Sequence, residues 1–349
     1  PPAGSRPAGH VRSIGSLRAS RRAGGIARVL STAATLASNL VGTLLVGLAA
    51  RDIFHELFHP GGSGSISQRL QRALWGGFRH VGRRRRRVLR LAGPLIFLAV
   101  VATWGLLLAL GWTLVFWPYL PEHFRFATPL DPSAEHGFGT ALYFSLIALT
   151  TVGFGDITPT HPLLRVLATL EATLGFALVT AAVSWLLSIY PVLARRRAFA
   201  HRVVLLRTMQ ERSGQRVTAL DPALALPLLG ELTTALAQVR VDAVQSGITY
   251  YFHDEEDSSL AATLPLVLRI AEEAAEEGRP EAVRFAALGL REAVASYLAV
   301  VRRQHLHRPE ERPEATLDAY AADHLREGRH ASVTTDSPHH RPDVSGGGT

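Results

Sequence analysis

The sequence predicts an all-α membrane protein with a helical domain outside the bilayer, and three observations predict it. Stretches 29–50, 91–117 and 163–193 are apolar, and each is long enough to cross a hydrocarbon core. A further apolar run, 138–149, is too short to span and ends in a loop carrying two glycines. The last third is different in kind, with charged and apolar residues alternating at helical spacing over 222–246, 258–277 and 280–303.

Composition narrows the chemistry. The 349 residues include no cysteine, which excludes disulfides and thiolate metal sites. All 37 basic residues are Arg, against 29 acidic ones, for a net charge of +8. Much of that charge flanks the apolar stretches, so the expected partner is the anionic headgroup of membrane lipid and not nucleic acid. The Arg, Ala, Gly and Pro bias suits a GC-rich bacterial genome.

Residues 1–28 are rich in Gly, Ser, Pro and Arg and are expected as a disordered basic arm. Residues 29–60 form an N-terminal membrane helix with an interfacial end, and Gly42 and Gly47 let it pack closely on another helix. That end carries His55-Glu56-Leu57-Phe58-His59, an H-E-x-x-H pattern. On a helix, its two His share a face that can bind zinc, and its Glu can serve as general base. Pro60 and Gly61 stop the helix at once and no third ligand follows. The preferred reading is therefore an amphipathic helix end with Phe54, Leu57 and Phe58 inward and the His residues at the headgroups. A membrane zinc hydrolase using His55, Glu56 and His59 is the rival.

Residues 61–90 are a basic cytoplasmic linker, with Trp75 and Phe78 expected at the membrane surface. The run 83–87 is contiguous and lies outside a span, whereas a voltage sensor spaces its arginines every third residue within one.

Residues 91–193 hold the outer helix, the short helix, the loop Thr150-Thr151-Val152-Gly153-Phe154-Gly155-Asp156 and a second long helix. Gly153 and Gly155 have no Cβ and can adopt dihedrals that aim successive carbonyls at one line. The heptapeptide resembles the signature of potassium channels, TTVGYGD, with Phe154 where Tyr is commoner. Its setting over 94–191 resembles the pore module of bacterial two-transmembrane potassium channels. The resemblance implies a pore-loop tetrameric cation channel module, a homotetramer in which four loops meet on one axis. Potassium then sheds its water into sites formed by the carbonyls of Thr151, Val152, Gly153 and Phe154, in a filter completed by Gly155 and Asp156. Val152 and Phe154 are expected to pack outward and brace the loop, and Tyr143 and Phe144 to surround it as a cuff. Some channels carry a Glu at the position of Ile147, so a carboxylate pair with Asp156 is missing. Gly175 falls at the hinge position of the family, or serves as a small residue for helix packing. Phe176, Val179, Thr180, Val183 and Ser184 fall on the pore face. Glu171, the one acid in its span, is expected near the back of the short helix in a structural or gating role. No organic cofactor and no enzymatic activity are expected. Phe154 lacks the Tyr hydroxyl, which makes a less selective cation channel the close alternative.

With the loop outside, the Arg of 69–90 and 195–197 lie inside, as the positive-inside rule requires. Three spans then put the N-terminus outside. Arg12, Arg18, Arg21, Arg22 and Arg28 run against that, and a first helix lying along the surface is the alternative. Residues 194–325 are expected as a helical cytoplasmic domain, since the glycine fingerprint of a dinucleotide-binding fold does not occur there. The acidic cluster 254–257 is expected as a solvated helix start, and 326–349 as a disordered tail. The expected location is the bacterial plasma membrane.

Overall fold

The computed structural model describes residues 11–58, 64–127, 137–253, 259–306 and 312–324, and the side chains of these except 11–29, Phe58 and Arg86. In chain order the elements are α1 (Val11–Phe58), α2 (Ser65–Gly82), α3 (Ala92–Phe116), β1 (Phe124–Phe126), α4 (Phe138–Leu149), β2 (Ile157–Pro159), α5 (Pro162–Ser213), α6 (Pro222–Gln245), α7 (Leu260–Ala274), α8 (Glu281–Val301) and α9 (Pro313–Asp323). They divide into two compact units. The first comprises the described residues of Pro1–His59, Gly64–Ser67 and Ala99–Trp185, and the second those of Pro60–Ser63, Gln68–Leu98 and Leu186–Thr349.

In the first unit α1 packs on α3 through two glycines. A Cβ on Gly42 would stand 2.5 Å from the Gly111 carbonyl oxygen, and one on Gly111 would stand 2.9 Å from the Gly42 oxygen. Small residues at this crossing let the two backbones touch. Gly47, expected to share the role, has nothing within 4 Å of its Cβ position. The Ser38 hydroxyl donates to the Leu114 carbonyl at 2.7 Å and the Asn39 amide to the Tyr119 hydroxyl at 2.8 Å, fixing the pair along its length. Asp52, buried near the end of α1, accepts from the backbone amides of Ile66 and Ser67, the Ser67 hydroxyl and the Trp104 indole. Four donors around one carboxylate are what makes its burial tolerable. They also tie the first turn of α2 to α3.

The strands β1 and β2 pair antiparallel, with Phe124 opposite Pro159, Arg125 opposite Thr158 and Phe126 opposite Ile157. The sequence reading has no strand here, because three residues are too few to show alternation.

In the second unit α6 packs along α8, α7 leans on α8, and α9 touches both α7 and α8. The core holds Leu229 and Leu236 of α6, Leu264 and Val267 of α7, and Leu290 and Val294 of α8. Among the described residues four helices are long and apolar enough to cross a membrane: Leu30–Leu57, Arg87–Tyr119, Pro162–Ser213 and Pro222–Gln245. The last, α6, is the least apolar of them, carries Glu231, Arg240 and Asp242, and packs on α8 as a core helix of the second unit.

Several expectations change. Helix α1 already runs from Val11, within the stretch 1–28 expected as a disordered arm; the last Pro there is Pro7, and the Ala and Arg that follow favour helix. The linker 61–90 is largely the helix α2. Its Trp75 is 4% exposed, packed on Tyr251 and His324 and donating to Asp323, so it is a core residue and not an interfacial one. Helix α5 passes Pro191 and continues to Ser213, where the inner helix was expected to end at 193. Phe199, Val203 and Leu206 recur at helical spacing beyond that point and are buried. Arg195 grips Asp242 with two hydrogen bonds, at 2.7 and 2.8 Å, and Arg196 donates to the carbonyls of Thr249 and Phe252, so neither is a free basic end. His59, the cluster 254–257 and the tail 326–349 lie outside the described residues.

Candidate functional site

The site is the loop that leaves α4. This helix has twelve residues, and its carbonyl end carries the partial negative charge of the helix dipole. That end organises the loop. The Leu146 carbonyl accepts from the Thr150 amide at 3.0 Å and the Ala148 carbonyl from that of Thr151 at 3.0 Å. The Ile147 carbonyl accepts from both Val152, at 3.0 Å, and Gly153, at 3.2 Å. The chain therefore folds back along the helix it has just left.

Handedness alternates along the loop. Thr151, Gly153 and Gly155 have φ of 59°, 52° and 77°, whereas Val152 and Phe154 are not in the left-handed region. Reversing the handedness at every second residue turns successive peptide planes to the same side. Two of the three left-handed positions are glycine, where this is free of steric cost. The third, Thr151, carries about 1–2 kcal/mol of strain. Strain held in place by surrounding hydrogen bonds marks functional loops.

The far end of the loop is clamped by Asp156. Its carboxylate accepts from the Tyr143 hydroxyl at 2.7 Å and from the Ile157 amide at 3.1 Å. Its carbonyl accepts from Ala127 at 2.8 Å, next to β1. Sequence reasoning looked for an acid at Ile147 and missed Tyr143 as the partner of Asp156. Phe144, expected to face the loop, points elsewhere: its ring meets Phe116 of α3 and Phe124 of β1 edge-on, each at 5.1 Å. Nor are Val152 and Phe154 braced within the chain; they are 53% and 71% exposed.

Helix α5 closes on the back of α4. A Cβ on Gly175 would lie 1.7 Å from the Leu149 carbonyl oxygen, so the last turn of α4 rests directly on α5. Glu171, one turn earlier, is fully buried. The Ser145 hydroxyl lies 2.5 Å from Glu171 Oε1 and 3.0 Å from the Ala109 carbonyl, so α3, α4 and α5 meet at one hydroxyl. Glu171 thus faces the back of α4, as its position suggested. Phe176, Val179, Thr180, Val183 and Ser184 share an exposed stripe of α5, with the first, second and fourth 67%, 63% and 53% exposed.

Of the H-E-x-x-H residues, His55 and Glu56 are described. Glu56 accepts from the Gly64 amide at 2.9 Å, His55 sits edge-on to Phe54, and His59 is outside the described residues. Among the described residues no group of three His, Cys, Asp or Glu stands close enough to hold a metal ion.

Residues 96–190 match a family model described as ion channel. The range takes in most of α3, all of α4, the loop, and the first part of α5. The uncharacterized membrane protein YdjJ of Bacillus subtilis (strain 168) is 24% identical over 284 residues, which cover 78% of this chain and 81% of that protein. No solved structure matches the chain. Span, short helix, clamped loop and span thus follow one another within the stretch that matches the ion channel model, in an all-α membrane protein.

Proposed function

We propose that the chain forms a potassium-selective channel that conducts passively through a filter built by residues 151–156. The observation that carries this reading is the alternating handedness of Thr151, Val152, Gly153, Phe154 and Gly155 on hydrogen bonds to Ile147. A row of carbonyls turned to one side can replace the hydration shell of a cation, and the carbonyl end of α4 adds to its attraction. One loop supplies only a quarter of a carbonyl ring, so the working unit is a homotetramer. The exposed Val152 and Phe154, and the uncovered stripe of Phe176, Val179 and Val183, suit surfaces that meet neighbours or the ion path. Transport needs no covalent step, and the ion is cargo, so the protein is not an enzyme. The filter faces outward, the Arg-rich run 83–87 and the helical domain 194–325 lie on the cytoplasmic side, and the membrane is the bacterial plasma membrane.

The test is Gly153→Ala. The added methyl meets nothing within 4 Å in the single chain but sits at a φ of 52°, which Ala resists. Selective potassium conduction is expected to disappear while membrane insertion and yield stay normal. Unchanged potassium selectivity would overturn the filter assignment. The missing hydroxyl of Phe154 supports a second reading, a less selective cation channel, because Tyr143 and Asp156 then carry the restraint of the outer filter.

A further inference from the structure

Deep in the first unit a chain of oxygens joins three helices. Thr113 of α3, Ser145 of α4 and Glu171 of α5 are all fully buried. Thr113 Oγ1 lies 2.6 Å from the Ala109 carbonyl oxygen, and Ser145 Oγ lies 3.0 Å from that same oxygen. Ser145 Oγ also lies 2.5 Å from Glu171 Oε1.

Oxygens this close need a proton between them. A hydroxyl brings one proton and a carbonyl brings none. Thr113 and Ser145 therefore supply two protons for three contacts. The third can come only from the carboxyl of Glu171. With it, Glu171 donates to Ser145 and Ser145 donates to Ala109. Without it, Ser145 has one proton for two acceptors, and one contact becomes lone pair against lone pair.

The other carboxyl oxygen points the same way. Glu171 Oε2 is buried and has no hydrogen-bond partner among the described residues. A buried carboxylate is tolerable when donors surround it. Asp52, in the same unit, has four donors shared over its two oxygens. Glu171 has one hydroxyl beside it. Nor does a cation face it. Helices α1, α3 and α4 carry no charged residue over 29–50, 92–116 and 138–149. The titratable group of α4, Tyr143, is turned to Asp156. On α5 the nearest charged residue, Arg165, is exposed and more than a turn away. A neighbouring copy cannot touch a side chain with no exposed surface.

This carboxyl stands directly behind the loop. Ser145 meets Glu171, and Leu149 meets Gly175 one turn further along α5. Between those two contacts lie Leu146, Ile147 and Ala148, whose carbonyls accept from the amides of Thr150, Thr151, Val152 and Gly153. The turn of α4 from which the loop hangs is thus held at both ends by α5.

We infer that Glu171 is a neutral positioning residue, whose carboxyl proton fixes α4 to α5 and with it the carbonyls that shape the loop. A carboxylic acid kept neutral by an apolar site can donate where a carboxylate only accepts. The protonated state stands on the geometry alone; its effect on conduction rests on the filter reading above.

Infrared difference spectra of the full chain in liposomes at neutral pH test the proton. Wild type minus Glu171→Gln should show the carbonyl band of a protonated carboxyl. A carboxylate band in its place overturns the inference. Ser145→Ala removes the acceptor and should shift the protonated band, which keeps the test open if Glu171→Gln does not fold; an unmoved band overturns the relay. Flux from the same liposomes tests the positioning. Gln keeps a donor and an acceptor in the same shape, so Glu171→Gln should keep the wild-type ratio of potassium to sodium flux, and Glu171→Ala should lose it. A wild-type ratio in Glu171→Ala makes the carboxyl dispensable, and loss in both variants makes a charge the working form; either overturns the positioning role. A protonated band from a protein without selective flux would sink the channel reading and leave the neutral carboxyl standing.

Discussion

At Gly175 the lack of a side chain is what allows α5 to touch the end of α4. A methyl there would overlap the Leu149 carbonyl at 1.7 Å, and helix backbone cannot yield that far without moving the helix. A hinge glycine and a packing glycine make different predictions at this position. If packing dominates, Gly175→Ala should destabilise the folded protein by about 1–3 kcal/mol, read by denaturant unfolding in detergent. Wild-type stability with altered gating would identify a hinge. The sequence alone could not choose, because a glycine in an apolar helix reads the same in both roles. Gly42 and Gly47 teach the same lesson: both looked suited to close packing, and only Gly42 has a backbone against it. The loop was legible because it depends on its own residue types. Tyr143 and Asp52 were not, because a hydroxyl thirteen residues away and a carboxylate capping a different helix leave no local pattern.

Among the elements, α9 is held in the second unit by two adjacent residues. Asp323 accepts from Trp75, Arg79 and Tyr250, while His324 is wedged between the carbonyls of Tyr320 and Tyr250 at 3.2 and 3.1 Å. Burial, with Arg196 nearby, pushes His324 down to about 4 from 6.5, although Asp323 and the two carbonyls pull the other way. A histidine lowered on folding stabilises fully above its unfolded value and loses that contribution as pH falls toward the folded one. The docking of α9 should therefore weaken between pH 6.5 and 4, by up to about 3 kcal/mol. Hydrogen exchange of α9 amides in the full chain, corrected for intrinsic rates, should show protection falling over that window. His324→Asn should flatten the dependence; a wild-type profile in that variant would contradict the assignment. The three helices α6, α7 and α8 were legible from periodicity within two or three residues at each end. The length of α5 was not, since Pro191 and the Arg run at 195–197 suggested an end that its buried Phe199 and Val203 override.

For the whole molecule, the sequence carried the division into apolar and charged regions, and with it the membrane class. It did not carry the membership of α2, whose Trp75 and Arg79 find Asp323 almost 250 residues later. Contacts at that separation follow from three-dimensional packing and have no signature in one chain. The same limit applies to Arg195 and Arg196, which composition offers to lipid and the fold gives to Asp242 and two backbone carbonyls. The central claim is that the loop 151–156 selects potassium in a tetramer. Ion flux from purified protein in liposomes, driven in turn by potassium, rubidium and sodium gradients with barium as blocker, tests it most directly. The account predicts barium-sensitive flux of potassium and rubidium with little of sodium. Sodium flux equal to that of potassium, or flux that barium leaves untouched, would contradict it.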